Sequence, residues 1–186
     1  MTNPAQFSTD EASDECLTPR YGVLPIVKHL KKAGFQRIWC PFDKADSFFV
    51  RVLSEAGFEV VFTHLEEGND FFTCDVPEVD CIVSNPPFSK KTAILRRLFL
   101  LDIPFAMILP LNTLQAKGRV GLFIDHGVEM LCFDGRICFY TWGKLDSFPQ
   151  NNRFPTAYFC RGVLPEKLVF ERLKMIQEPY SIEAMF

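Results

Sequence analysis

The stretch VDCIVSNPPF, residues 79–88, decides how this chain is read. Its first six residues are largely apolar without polar alternation. That is the pattern of a strand covered on both faces, as the strands of a parallel sheet are. The run then stops at Asn85, Pro86, Pro87 and Phe88. Proline fixes φ and lacks an N–H, so two in succession hold the preceding carbonyls in set directions with no amide donor beside them. The asparagine oxygen and a neighbouring carbonyl then make a pair of acceptors suited to an NH2 group, with the Phe88 ring placed to stack on a flat substrate. A stiff surface turn is the plainer alternative.

Working outward, similar runs recur. QRIWCPF up to Pro41, EVVFTHL, PFAMILPL, VEMLCF and FPTAYFC read as strands, and RICFYTW as a strand or extended segment. Between them, helical spacing and caps predict a helix over 18–34, begun at Thr18 and Pro19, with Pro25 either kinking it or marking its first turn. DSFFVRVLSEAGF, capped by Asp46 or Ser47, and KKTAILRRLFLLD, with Ile94, Leu95, Leu98 and Leu101 on one face, read as two more. Helices are also expected over 118–126 and in PEKLVFERLKMI. The segment EEGNDFFTCDVPE reads as loop with a short strand over 70–72, and 143–153 as loop. Strands alternating with helices specify a layered α/β sheet that binds ligands at the carboxyl ends of its strands, where the chain order reverses.

Composition sets the outer limits. With 186 residues and 48% apolar content, the chain can bury one substantial core, expected over 17–186 after a polar, acidic leader over 1–16 that reads as mobile. No apolar run is long enough for a membrane span, and the N-terminus lacks the basic and apolar regions of a signal peptide, so a cytoplasmic protein is expected. Seven cysteines, an odd number with no CxxC, include Cys40, Cys81, Cys132 and Cys160 in strand-like runs, which suits reduced core thiols. His29, His64 and His126 lie far apart without ligand-spaced neighbours, so no metal site is expected. The net charge of -3 is uneven: Asp10, Glu11, Asp14 and Glu15 all fall in the leader. From Asp80 to Arg161, ten Lys and Arg face six Asp and Glu, which permits an anionic partner.

The tetrapeptide Asn85-Pro86-Pro87-Phe88 resembles the (Asp/Asn/Ser)-Pro-Pro-(aromatic) motif of S-adenosylmethionine-dependent amino-methyltransferases, best known in DNA and RNA adenine-N6 enzymes. The overall run is similar to small phage and prophage proteins of that kind. The resemblance implies a three-layer Rossmann-like class I methyltransferase fold, mostly parallel with a late antiparallel strand. It makes S-adenosylmethionine the cofactor and nucleic acid the partner, DNA before RNA. It also implies that Asn85 orients the amine, that Pro86 supplies a carbonyl, and that Asp70 and Phe71 of GNDFF meet the cofactor's adenine. Thr18 and Pro19 of LTPRY would border its methionine end. Lys90, Lys91, Lys117, Arg119 and Arg136 would ring the mouth and hold phosphates.

Two places depart from the family pattern. The first strand usually ends in a turn like DPxxGxG, whereas CPFDKADSF keeps Pro41 and Phe42 but has Cys40, Lys44 and Asp46 where an acid and two glycines are usual. Asp43, Asp46 and Ser47 become the candidates for polar contacts there. The second strand usually ends in a carboxylate for the ribose; His64 stands in that place, with Glu66 and Glu67 just beyond. A protein-glutamine or guanine-N2 substrate, or a methyltransferase-like binding or inhibitory module without turnover, are the alternatives.

Overall fold

A computed structural model describes residues 16–141 and 154–175; the expected leader up to residue 15 and the expected loop over 143–153 lie outside them. Strand β1, Cys16–Leu17, precedes helix α1, Arg20–Ala33, which ends on Gly34 at φ 82°. Pro25 lies inside α1, beyond its first turn. Then follow β2 (Arg37–Cys40), α2 (Phe48–Glu55), β3 (Glu59–Phe62), β4 (Cys81–Ser84), α3 (Lys91–Leu101) and β5 (Phe105–Pro110). The chain continues through α4 (Lys117–His126), β6 (Glu129–Phe133), β7 (Tyr140–Thr141), β8 (Thr156–Arg161) and β9 (Leu168–Glu171). Cys16, placed by sequence in the leader, therefore begins a strand, which pairs antiparallel with β7 as a two-stranded ribbon.

The main sheet has seven strands in the order β3-β2-β4-β5-β8-β6-β9. It is mostly parallel, as the apolar runs predict, and has the late antiparallel strand that the resemblance implies: β8 runs antiparallel to both β5 and β6, and the other neighbours are parallel. Side chains of successive residues point to opposite faces of a strand. Ile38, Cys40, Cys81, Val83, Ala106 and Ile108 thus enter a core shared with α1 and α2. Trp39, Ile82, Phe105, Met107 and Leu109 enter a second core on the other face with α3. Both faces being covered, β4 and β5 are buried along their whole length, which explains their unbroken apolar sequence. After β2 the chain moves outward to β3; after β4 it moves the other way to β5. The reversal puts the ends of β2 and β4 side by side.

Two expectations are corrected. PEKLVFERLKMI is not a helix: Leu168–Glu171 is strand β9, parallel to β6 with Leu131 opposite Val169. The open edge of β6 supplies hydrogen-bond partners that no helix would use, and tertiary pairing outweighs helix propensity. The carboxylate of Glu129 on β6 also accepts from the backbone N–H groups of Gly162, Val163 and Leu164, turning the chain back after β8. Glu171 then pairs with Lys28 and His29 of α1, each at 2.7 Å. Residues 70–72 are a turn rather than a strand. Asp70 Oδ1 accepts from the Phe72 N–H at 2.9 Å, and its carbonyl accepts from Thr73 and Cys74.

Candidate active site

At the end of β4, Asn85 leaves the sheet half-buried, and the two prolines carry the chain into a short 3₁₀ turn, Phe88–Lys90, before α3. The Asn85 Nδ2 donates to the carbonyl of Cys16 at 2.9 Å. A carbonyl only accepts, so it takes the NH2 end of the amide and fixes the direction of the other end. That other end, Oδ1, is buried and has no hydrogen-bond partner among the described residues. A buried acceptor left unpaired costs about 1–3 kcal/mol, so the position calls for a donor from beyond the described residues. The ribbon of β1 and β7 thus reaches the sheet end and sets the amide. No signal in the sequence links Cys16 to Asn85.

A cavity of about 300 Å³ opens in front of Asn85 and Pro87, between the turns that follow β2 and β4. The β2 turn contributes Pro41, Phe42, Asp43, Asp46 and Ser47; His64 after β3, together with Asp70 and Phe71, lines the same space. Phe71 is 3% exposed, its ring 4.9 Å from Phe42 and 5.6 Å from Trp39, so those two side chains back an aromatic wall. Of the two glutamates just beyond His64 that could substitute for the usual carboxylate, Glu66 lines the cavity; Cys16, Leu17, Lys44, Asn69 and Phe72 also line it without having been singled out as site residues from the sequence.

Each polar group of the β2 turn already has a partner. Asp43, 8% exposed, accepts a hydrogen bond from Ser84 at the end of β4, tying the two turns together. Burial pushes its carboxyl up to about 6, with the Asp46 charge adding to the rise and hydrogen bonds from Ser84 and Ser47 opposing it. Ser47 caps α2 by accepting from the Val50 N–H at 3.2 Å. Cys40, in the place where an acid is usual, is fully buried, and burial followed by the Asp43 charge raises its thiol. Lys44, in place of a glycine, pairs with Glu66 across the cavity. His64 Nδ1 accepts from the Glu66 N–H at 3.2 Å and so caps its own turn.

Of the remaining expected site residues, all but Lys90 lie outside the cavity lining. Thr18 is 5% exposed and packs with Ile137 over Gly22, where an added Cβ would meet both side chains at 3.0 Å. Pro19 is the cap of α1. Pro86 is buried. Phe88 is half-buried, its ring edge-on to Phe154 at 5.6 Å and to Phe139 at 6.1 Å. Among the expected phosphate holders, Lys90 lines the cavity. Lys91 bends back to the Phe88 carbonyl at 2.9 Å. Lys117 and Arg136 are exposed away from the cavity lining. Arg119 does not face the mouth: it is 9% exposed, its guanidinium bonded to the carbonyls of Asn112 and Thr113 and to the Thr92 hydroxyl. A guanidinium with three internal acceptors braces α3 against α4 and has little left to offer an anion.

No protein family and no curated protein matches this chain by sequence. Among solved structures it is similar to a "modification subunit of a putative type I restriction enzyme" from Vibrio vulnificus YJ016, at 11% identity and a TM-score of 0.49, over 91% of this chain and 49% of the other. It is also similar to the type I restriction-modification system methyltransferase subunit from Streptococcus thermophilus, at 13% identity and a TM-score of 0.47, over 90% and 49%. The chain thus spans about half the length of each.

Proposed function

We infer that this chain moves a methyl group from S-adenosylmethionine to an exocyclic amine, with N6 of adenine in DNA the first substrate to test and RNA the second. The observation that carries this reading is the Asn85 amide, held by the Cys16 carbonyl with its Oδ1 buried and unpaired. That oxygen and the Pro86 carbonyl are the two acceptors for an NH2 group. The cavity fits the methyl donor: a cationic molecule with an aromatic end suits a space of about 300 Å³ that carries Asp43, Asp46 and Asp70 beside Phe42 and Phe71.

S-adenosylmethionine, when bound, supplies an electrophilic methyl group on a sulfonium. The protein's part is to prepare the nitrogen. Two accepted hydrogen bonds draw the amine out of conjugation with its ring and localise its lone pair for attack. The nitrogen would gain the methyl as the methyl–sulfur bond breaks, sulfur keeping the electron pair as a thioether, and would release one proton to solvent, so no metal and no covalent enzyme intermediate are needed. Asn85 and Pro86 accept from the amine, Phe88 stacks on the base, and Asp43 holds positive charge at the donor end. In duplex DNA the target base must leave the stack at a cost of a few kcal/mol, which stacking on Phe88 offsets in part.

The test is methyl transfer from labelled cofactor across duplex DNA, RNA and protein pools, followed by analysis of the modified nucleoside or residue. N6-methyladenine in wild type and its loss in Asn85→Ala support the reading; label on guanine or glutamine moves the target. One observation favours a second reading, a binding or inhibitory module without turnover: Lys44 and Glu66 pair across the cavity in the region where the family pattern has glycine. Calorimetry decides between them. No uptake of S-adenosylmethionine at millimolar concentration, with or without nucleic acid, leaves only the module.

A further inference from the structure

Beside the cavity, and sharing Phe72, Ser89 and Lys90 with it, lies an open depression of about 530 Å³ completed by Thr92, Ala93 and Arg96. Its lining carries two cations and, among the described residues, no carboxylate. Lys90 and Arg96 are both exposed. Neither belongs to the ion pairs found among the described residues, which engage Arg20, Lys28, His29, Arg37, Lys44 and Arg161. The other cations on the same stretch are spent: Lys91 bonds the Phe88 carbonyl, and Arg97 bonds the Cys74 carbonyl at 3.3 Å beneath the Phe71 ring.

The Thr92 hydroxyl is set from behind. Its oxygen accepts from Nη1 of the buried Arg119 at 2.9 Å, which leaves its own hydrogen to donate into the depression. Gly118 of α4 lies beside the two: a Cβ there would stand in ordinary contact with Thr92 at 3.6 Å and with the Arg96 guanidinium at 3.8 Å. Two cations, an oriented hydroxyl donor and the half-buried Phe72 ring make a surface for an anion attached to something flat.

We propose that this depression seats the sugar-phosphate backbone of the strand that carries the target amine, with a phosphodiester held by Lys90, Arg96 and Thr92. The proposal rests on the methyl-transfer reading for which strand is held, and its test is independent of that reading. Fluorescence anisotropy with a labelled DNA oligonucleotide, single-stranded and duplex, is measured against salt for wild type, Lys90→Gln, Arg96→Gln and Thr92→Val. Each lost phosphate contact lowers the slope of log affinity on log salt by about 0.7 for a single strand and about 0.9 for a duplex. Thr92→Val weakens binding at every salt and leaves the slope unchanged. An unchanged slope in both charge variants overturns the proposal, as does equal binding of a poly-glutamate peptide of similar charge. S-adenosylmethionine calorimetry on the same proteins separates the two ideas: failure of cofactor binding removes methyl transfer, while the salt slopes still decide the depression.

Discussion

The two turns that meet at the reversal of the sheet are built on opposite plans. The turn after β4 keeps one unspent valence, the buried Asn85 Oδ1, on a frame stiffened by Pro86 and Pro87. The turn after β2 is closed on itself, with Asp43 bonded by Ser84, Ser47 capping α2 and Lys44 paired with Glu66. On the proposed reading the first should fail if its one side-chain acceptor is lost. The second offers shape and charge, and single losses there should be absorbed by the remaining contacts.

The strongest way to break this contrast is Asn85→Ala. Methyl transfer should fall by about 10²–10³, the usual cost of removing one aimed hydrogen-bonding group, with cofactor affinity unchanged in calorimetry. A variant that keeps its rate would make the diproline a turn and nothing more.

Next comes Asn85→Asp, which tests the Cys16 carbonyl in particular. A carboxylate facing that carbonyl has no donor to give, so its charged form is disfavoured and its pKa rises. Protonated, it donates to Cys16 and keeps an acceptor where Oδ1 was. Transfer should therefore be low at neutral pH and recover on acidification, a profile that wild type lacks; parallel profiles would remove the carbonyl from the account.

Asp43→Asn probes the closed turn. A carboxyl raised from 3.8 to about 6 binds its proton more tightly in the folded state, so its stabilising contribution is full below about pH 4 and is lost as pH rises to about 6. The loss is about 3 kcal/mol, since each pKa unit corresponds to about 1.4 kcal/mol. Chemical denaturation across that window should show the fall in wild type and a flatter curve in the variant. If Asp43 also meets the donor's positive charge, cofactor affinity should rise over the same window in wild type alone.

The smallest effect is expected for Lys44→Ala. The pair with Glu66 is exposed, where such contacts contribute little. The denaturation midpoint should stay where it is, with a modest change in cofactor affinity. A collapse of cofactor binding would show that this lysine replaces the missing glycines in function as well as in position.

The contrast also explains what could be read in advance. Continuous apolar runs such as CIVS and FAMILP are legible because burial on both faces leaves no place for polar residues. NPPF is legible because rigidity there is local chemistry. LVFE was misread because the strand exists only through the edge of β6, which the segment itself does not encode. Arg119 was misread for the same reason: two of its three acceptors are backbone carbonyls, which any residue could have supplied. The hold of Cys16 on Asn85 spans 69 residues and passes through a main-chain atom.

Strand β8 has a consequence for the order in which this molecule can be made. It lies between β5 and β6 in space yet leaves the ribosome after both. Until residue 161 has emerged, the fully apolar β5 presents a bare hydrogen-bonding edge to its surroundings. A chain arrested before residue 156 should therefore carry the whole NPPF motif and still be a sticky, unfinished half-sheet.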